Sequence, residues 1–265
     1  MREKVNGFVG VMAVAILCMV SGLCMVWGIA PVVLAVYVAA CAVCGRYMIT
    51  CIGCAAGVAA GSMGIAGLLH AYEYMIPGPV YSGVMVTEKY LVLLGLAMCL
   101  MKIVYSRNSR SYVRVIVVMS AAVLMGNIVV YADNMLMAAA YGVVEAAIFM
   151  CASVILKPGI GLLYTYICGD ASDVERDESW NISQGIVSLM ALAAVVLWVV
   201  PGEDIYGVNP AFMLALVLIL YAVYRTGAVY GCGMAAVAGS IVSVKLNDSR
   251  WLMWMLLVTL VMLIG

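Results

Sequence analysis

Three groups of residues in this 265-residue chain have types and spacing that could do chemistry. The first is a cysteine quartet, Cys41 and Cys44 in "CAVC" and Cys51 and Cys54 in "CIGC". Folded as a hairpin about Arg46, they could pair by depth, Cys44 beside Cys51 and Cys41 beside Cys54. Zinc and iron–sulfur centres with four thiolate ligands use such pairs. The alternative is packing, because free cysteine behaves as a small buried hydrophobe. Other cysteines (Cys18, Cys24, Cys99) are scattered without pattern. The polar groups that usually orient metal ligands are missing around the quartet. On balance no metal and no cofactor is expected in this chain.

The second is Glu145, in "YGVVEAAIF", midway along an apolar run. An acid at that depth is costly and is a functional-site candidate by default. Counted from the polar turn near Asp133, Ser120 on the preceding segment lies level with it. One reading is a proton or ion relay. The other is a protonated acid tying two helices together. A relay normally strings several acids or histidines in series, and here one stands alone, which favours the structural reading.

The third is "GAVYGCGMAAVAGS", residues 227–240, with small residues every fourth position: Gly227, Gly231, Ala235 and Gly239. A phosphate-binding P-loop requires a lysine followed by Ser or Thr, and the stretch has no lysine. A dinucleotide loop requires a strand–helix context. Spacing of four instead aligns residues on one helix face. Small residues on such a face let helices approach closely in lipid. A second ladder, Gly53, Gly57 and Gly61, has the same design. Both ladders follow an arginine, Arg46 or Arg225. They are either two similar packed helices or the trace of an internal repeat.

The elements that must carry these residues follow from composition. The chain is 67% hydrophobic and 10% charged, with a mean hydropathy of +1.17. Soluble domains are about 45–50% apolar and about 25% charged. The expectation is an all-α integral membrane protein, since lipid demands that backbone polar groups be satisfied internally. Strict period-2 alternation is absent, which argues against a barrel. Apolar segments fall at about 8–28, 30–45, 48–69, 90–105, 113–131, 134–156, 182–200, 208–224, 226–244 and 251–265, predicting about ten transmembrane helices. Residues 8–28 lack a clear small-residue cleavage site and read as a first helix rather than a signal peptide. "PGIGLLYTYIC", 158–168, opens on Pro158 and reads as an interfacial or cytoplasmic extension.

With the amino terminus inside, the inner loops hold nine cations: Arg2, Lys4, Arg46, Arg107, Arg110, Arg114, Lys157, Arg176 and Arg225. The outer loops hold three, Lys89, Lys245 and Arg250. Lys102 can snorkel inward. This asymmetry places both termini in the cytoplasm. The chain reads as one polytopic membrane domain, 1–265, with possible halves 1–110 and 111–265. No soluble stretch reaches domain size.

The inner loop "GDASDVERDESWN", 169–181, carries five of the thirteen acids. It is either a docking loop for a basic partner or a solvated connection whose acids favour the next helix start. The outer loop 70–89 carries tyrosines suited to an interface. Its lone His70 cannot make a metal site alone. Net charge is zero, which gives no indication of nucleic-acid binding.

The second half resembles the amino-terminal membrane domain of stage II sporulation protein E of endospore-forming bacteria. Gly227, Ala228, Gly231, Cys232 and Gly239 are similar to that family's Gly-Ala-x-x-Gly-Cys stretch and its downstream glycine. Met137, Val144, Glu145 and Ala146 are similar to its Val-Glu-Ala helix. The resemblance covers roughly 130–245. It implies a ten-helix anchor at the asymmetric division septum that self-associates and contacts other septal membrane proteins. In the family a linker meets the tubulin-like division protein, and a soluble Mn- or Mg-dependent PPM-type serine/threonine phosphatase domain follows. That domain activates a forespore sigma factor. The present chain ends at Gly265 without linker or phosphatase domain, so it is expected to be either a fragment or a membrane-only relative, and not itself an enzyme.

Overall fold

A computed structural model describes residues 2–23, 31–72, 83–104, 109–132, 134–168, 182–200, 209–246, 248 and 250–264. Among these the chain is entirely helical and has no strand. Ten helices follow in order: α1 (Arg2–Leu23), α2 (Pro31–Cys44), α3 (Tyr47–Tyr72), α4 (Gly83–Ile103), α5 (Ser109–Val130), α6 (Met135–Cys168), α7 (Ile182–Val199), α8 (Pro210–Thr226), α9 (Ala228–Leu246) and α10 (Arg250–Ile264). Counting only the described residues, two stretches are long and apolar enough to cross a membrane: Arg110–Val130 of α5 and Met135–Ile167 of α6. The acidic loop 169–181 and most of the outer loop, 73–82, lie outside the described residues. His70 falls in the last turn of α3.

The chain divides into two compact units, Met1–Ser179 and Trp180–Gly265. The division falls well after residue 110, because α4, α5 and α6 pack on one another across that position. In the first unit α2 is the hub. It packs on α1, α3, α4 and α6, and every residue from Pro31 to Cys41 is buried. A helix apolar on all sides can be buried on all sides. Around it, α1 and α3 make the tightest contact. A Cβ on Gly57 would run into the Met19 carbonyl oxygen, and one on Gly22 would sit 2.6 Å from the Gly57 carbonyl carbon. Gly53 faces Ala15 of α1 in the same way, and Gly61 is buried. This ladder is therefore a backbone-to-backbone seam.

In the second unit Asn209 caps α8, its side-chain oxygen accepting from the Phe212 N–H at 3.0 Å, with Pro210 opening the helix. Ala211, Ala215, Ile219 and Ala222 then form its inner stripe, against Met234, Ala235, Ala238, Ile241 and Val242 of α9. Gly231, Ala235 and Gly239 are buried on α9, and a Cβ on Gly231 would meet Val223 of α8. Gly227 is different. It lies between the helices with φ of 87°, capping α8 through a bond from its N–H to the Val223 carbonyl. The left-handed backbone there turns the chain, so Gly227 is a hinge between helices rather than the first rung of the stripe.

Two element boundaries differ from those drawn on the apolar segments. Pro158 lies inside α6, which runs on to Cys168 for a total of 34 residues. Helix continues because Leu156 and Ile160 on either side are buried, and packing outweighs one lost backbone bond. And α4 begins at Gly83, so Lys89 is a helical residue rather than a loop residue.

Candidate functional site

Glu145 is the fourth turn-level landmark of an α6 whose start is well defined. Asn134 caps it, accepting from the Met137 N–H at 3.2 Å. The Tyr131 and Tyr141 rings stack across the α5–α6 turn with centroids 5.2 Å apart. Gly142, one turn before Glu145, lets α5 approach closely. A Cβ there would lie 3.4 Å from the Leu124 Cα and 3.5 Å from the Asn127 Cβ.

That approach delivers Asn127. Its amide nitrogen donates to Glu145 Oε2 at 2.7 Å and also to the Val123 carbonyl at 3.1 Å. From α4, Lys89 Nζ donates to the same Glu145 oxygen at 2.8 Å and to Asn127 Oδ1 at 3.1 Å. Three helices thus meet in a closed polar triangle. Lys89 and Asn127 are buried, with the Lys89 side chain 4% exposed and the Glu145 side chain 17%. The lysine stem crosses α5 at Gly126, where a Cβ would meet Lys89 Cγ and Cδ at 3.3 Å. The Lys89 ammonium also lies 4.7 Å from the centroid of the Tyr90 ring. The Tyr90 hydroxyl is buried and stands beside Glu145.

Electrically the triangle is neutral and alternates in sign: ammonium, amide oxygen, amide hydrogen, carboxylate. A buried ion pair recovers its desolvation cost only when the geometry is good and the remaining polar atoms are satisfied. Asn127 does that here by engaging both charged partners. The arrangement can hold three helices in one register.

Ser120 is not a member of this cluster. Its hydroxyl donates to the Ile116 carbonyl of its own helix at 2.8 Å. Depth counting selected it because that count compares Cα positions. Side chains lean toward the amino-terminal end of their helix. On antiparallel α5 and α6, Asn127 and Glu145 therefore lean toward each other from different depths. The reading of Glu145 as a tie between two helices is extended, since its carboxyl group meets side chains of two further helices, Lys89 of α4 and Asn127 of α5. Lys89 and Asn127 escaped sequence reasoning. The available signals were the amide in "GNIVV" within an apolar helix and the lysine just ahead of an apolar run.

Cys41, Cys51 and Cys54 lie in one neighbourhood, joined by Cys18 of α1. Cys41 Sγ meets Thr50 Oγ1 at 3.2 Å, and Cys54 Sγ points to the Val33 carbonyl at 4.0 Å. Val33 and Cys41 are eight residues apart on α2, about 12 Å along its axis. Cys44 and Cys51 are half-buried. Across the α2–α3 turn at Gly45–Arg46, Cys54 lies within electrostatic reach of Cys41 and Cys51, and also of Cys18 on α1. Among the described residues no three His, Cys, Asp or Glu side chains are grouped as metal ligands.

At the other end of α5, the Tyr112 hydroxyl donates to the Ser153 carbonyl of α6 at 2.7 Å, and Lys157 Nζ lies 4.7 Å from the Tyr112 ring centroid. The α5–α6 pair is therefore pinned at two levels. Compared with family models, curated proteins and solved structures, the chain matches none of them.

Proposed function

We propose that this chain is a multi-pass membrane module whose work is anchoring and assembly, with the Lys89–Asn127–Glu145 triangle as an internal lock. The observation that carries this reading is the double engagement of Glu145 Oε2, which accepts from a buried lysine and a buried amide. An acid held in that way serves register better than it serves proton exchange. Apolar composition and the two membrane-length helices support a bilayer setting. Placing Lys89 inside the bundle also sharpens the charge asymmetry, leaving two outer cations, Lys245 and Arg250, against nine inner ones. About ten spans with both termini cytoplasmic is the topology proposed.

By resemblance in 130–245, the module is similar to the membrane domain of stage II sporulation protein E. Its partners would then be a second copy, septal membrane proteins and, through a linker, the tubulin-like division protein. Its place would be the sporulation septum of a bacterial cell membrane. On this reading the chain itself performs no catalysis, and a phosphatase would lie on a following segment.

The competing reading is a small transporter or channel centred on Glu145. Reconstitution separates them. The anchoring reading expects Glu145→Gln to reach the membrane and assemble as the parent does, with vesicles of either chain no leakier to protons or alkali cations than empty ones. A flux carried by the parent and lost in Glu145→Gln would remove the anchoring reading. A fluorescent fusion scored for septal position tests the resemblance separately.

A further inference from the structure

The α1–α3 seam carries side chains that the triangle does not use. Ala15 and Met19 of α1 meet Gly53 and Gly57 of α3 in the same order and at the same spacing, so the two helices run parallel with their backbones in contact. Cys18 lies on that seam. A Cβ on Gly53 would stand 3.4 Å from the Cys18 Cβ. The next residue along α3, Cys54, has its thiol in hydrogen-bond contact with the Cys18 thiol. Both cysteines are buried, at 0% exposure. A disulfide joins Cβ atoms about 3.5–4.5 Å apart. Backbone contact through glycine is what allows two helices to bring facing cysteines that close.

Two other sulfurs compete for this role, and the geometry favours Cys18 with Cys54 over both. Cys41 Sγ is engaged with Thr50 Oγ1 at 3.2 Å. Cys51, half-buried, stands within electrostatic reach of Cys18, whereas Cys54 is in direct contact with it. Besides Cys18, the Cys54 thiol meets the Val33 carbonyl at 4.0 Å, a weak contact that yields readily.

We propose that Cys18 and Cys54 form a peroxide-responsive disulfide site that latches α1 to α3. The oxidant is hydrogen peroxide, because a buried apolar pair admits a small uncharged reagent and resists a charged one. One thiol attacks a peroxide oxygen, giving a sulfenic acid and one water. The second sulfur then displaces hydroxide from the sulfenic sulfur. The S–S bond forms, and the hydroxide leaves with the remaining thiol proton as a second water. The two sulfurs together lose two electrons and the two peroxide oxygens gain them. Burial makes the first step slower than at an exposed thiol. The adjacent sulfur fixes the product, since it traps the sulfenic acid before further oxidation. The bond closes a loop that contains the whole of α2, the buried hub of the first unit. The latch needs only the α1–α3 seam and does not rest on the anchoring reading.

Peptide mapping of the full chain in membranes tests it. The chain is treated with hydrogen peroxide, free thiols are then blocked with iodoacetamide, and digestion follows without reductant. The expected product joins the peptides of Cys18 and Cys54, two hydrogens lighter than their sum, and dithiothreitol separates them. Cys18→Ala and Cys54→Ala should each abolish the link, while Cys51→Ala retains it. The parent chain also gives a readout that needs no variant. Its thermal midpoint should rise on oxidation and return on reduction, because a cross-link removes conformations from the unfolded chain. Exposed Cys99 and Cys151 report that the oxidant has acted. If they are oxidised while Cys18 and Cys54 stay separate thiols, the proposal is overturned. A link made through Cys41 or Cys51 instead, or a midpoint that does not move when the link forms, overturns it as well.

Discussion

Lys89 Nζ and Glu145 Oε2 lie 2.8 Å apart although 56 residues separate them in sequence. The two residues belong to α4 and α6, and Asn127 of α5 bonds to both. The pair turns three neighbouring helices into one unit whose register cannot slip by a turn without exposing a buried charge. Consequences for stability follow from its isolation.

Removing one partner leaves the other buried and uncompensated. Lys89→Met or Glu145→Leu alone is expected to destabilise the first unit by about 3–5 kcal/mol. The double variant should recover most of that loss, because a well-packed apolar pair costs little. Unfolding in detergent, read as a double-mutant cycle, measures it. Additive losses in the double variant would contradict a coupled pair.

Gly126 makes room for the lysine stem. Gly126→Ala is expected to cost about 1 kcal/mol and Gly126→Leu about 3 kcal/mol, since Lys89 Cγ and Cδ stand 3.3 Å from the added Cβ. The same substitutions in a Lys89→Met background should cost less. Thermal midpoints of the four chains decide the point.

Gly57 and Gly95 make a contrasting pair on helices of the same unit. Gly57→Ala forces α1 and α3 apart at the Met19 carbonyl and should cost about 1–3 kcal/mol. Gly95→Ala meets nothing within 4 Å and should stabilise by about 0.5–1 kcal/mol through helix propensity. Opposite signs in a denaturation assay are the expected result, and equal effects would refute the seam.

Tyr112→Phe removes the hydroxyl that donates to the Ser153 carbonyl and keeps the ring beneath Lys157. The expected loss is about 1 kcal/mol. Amide exchange in the lower halves of α5 and α6 should quicken, while exchange around Asn127 and Glu145 stays as it was. A uniform change along both helices would show that the two pins are not separate.

Much of this architecture is legible from local information. Each of the ten apolar segments holds a helix, because a run without period-2 alternation satisfies its backbone internally. The ends are less legible. Lys89 looks like a loop residue when a segment is drawn from its apolar core, yet the helix starts six residues earlier at Gly83. Pro158 looks like a stop, yet burial on both sides carries α6 past it. Gly227 looks like the first rung of a packing stripe, yet its φ makes it the turn before that stripe.

The sequence by itself determined the all-helical composition, the positions of most of the small-residue faces and the place of Glu145 midway along an apolar run. These depend on neighbours a few residues away, where helical periodicity makes the geometry calculable. Only the tertiary structure decided which residues those features meet. Cys41 faces Thr50 rather than Cys54, and Glu145 faces Asn127 and Lys89 rather than Ser120. The physical reason is register: one turn of sliding between packed helices changes every cross-helix partner while leaving each helix's own pattern intact.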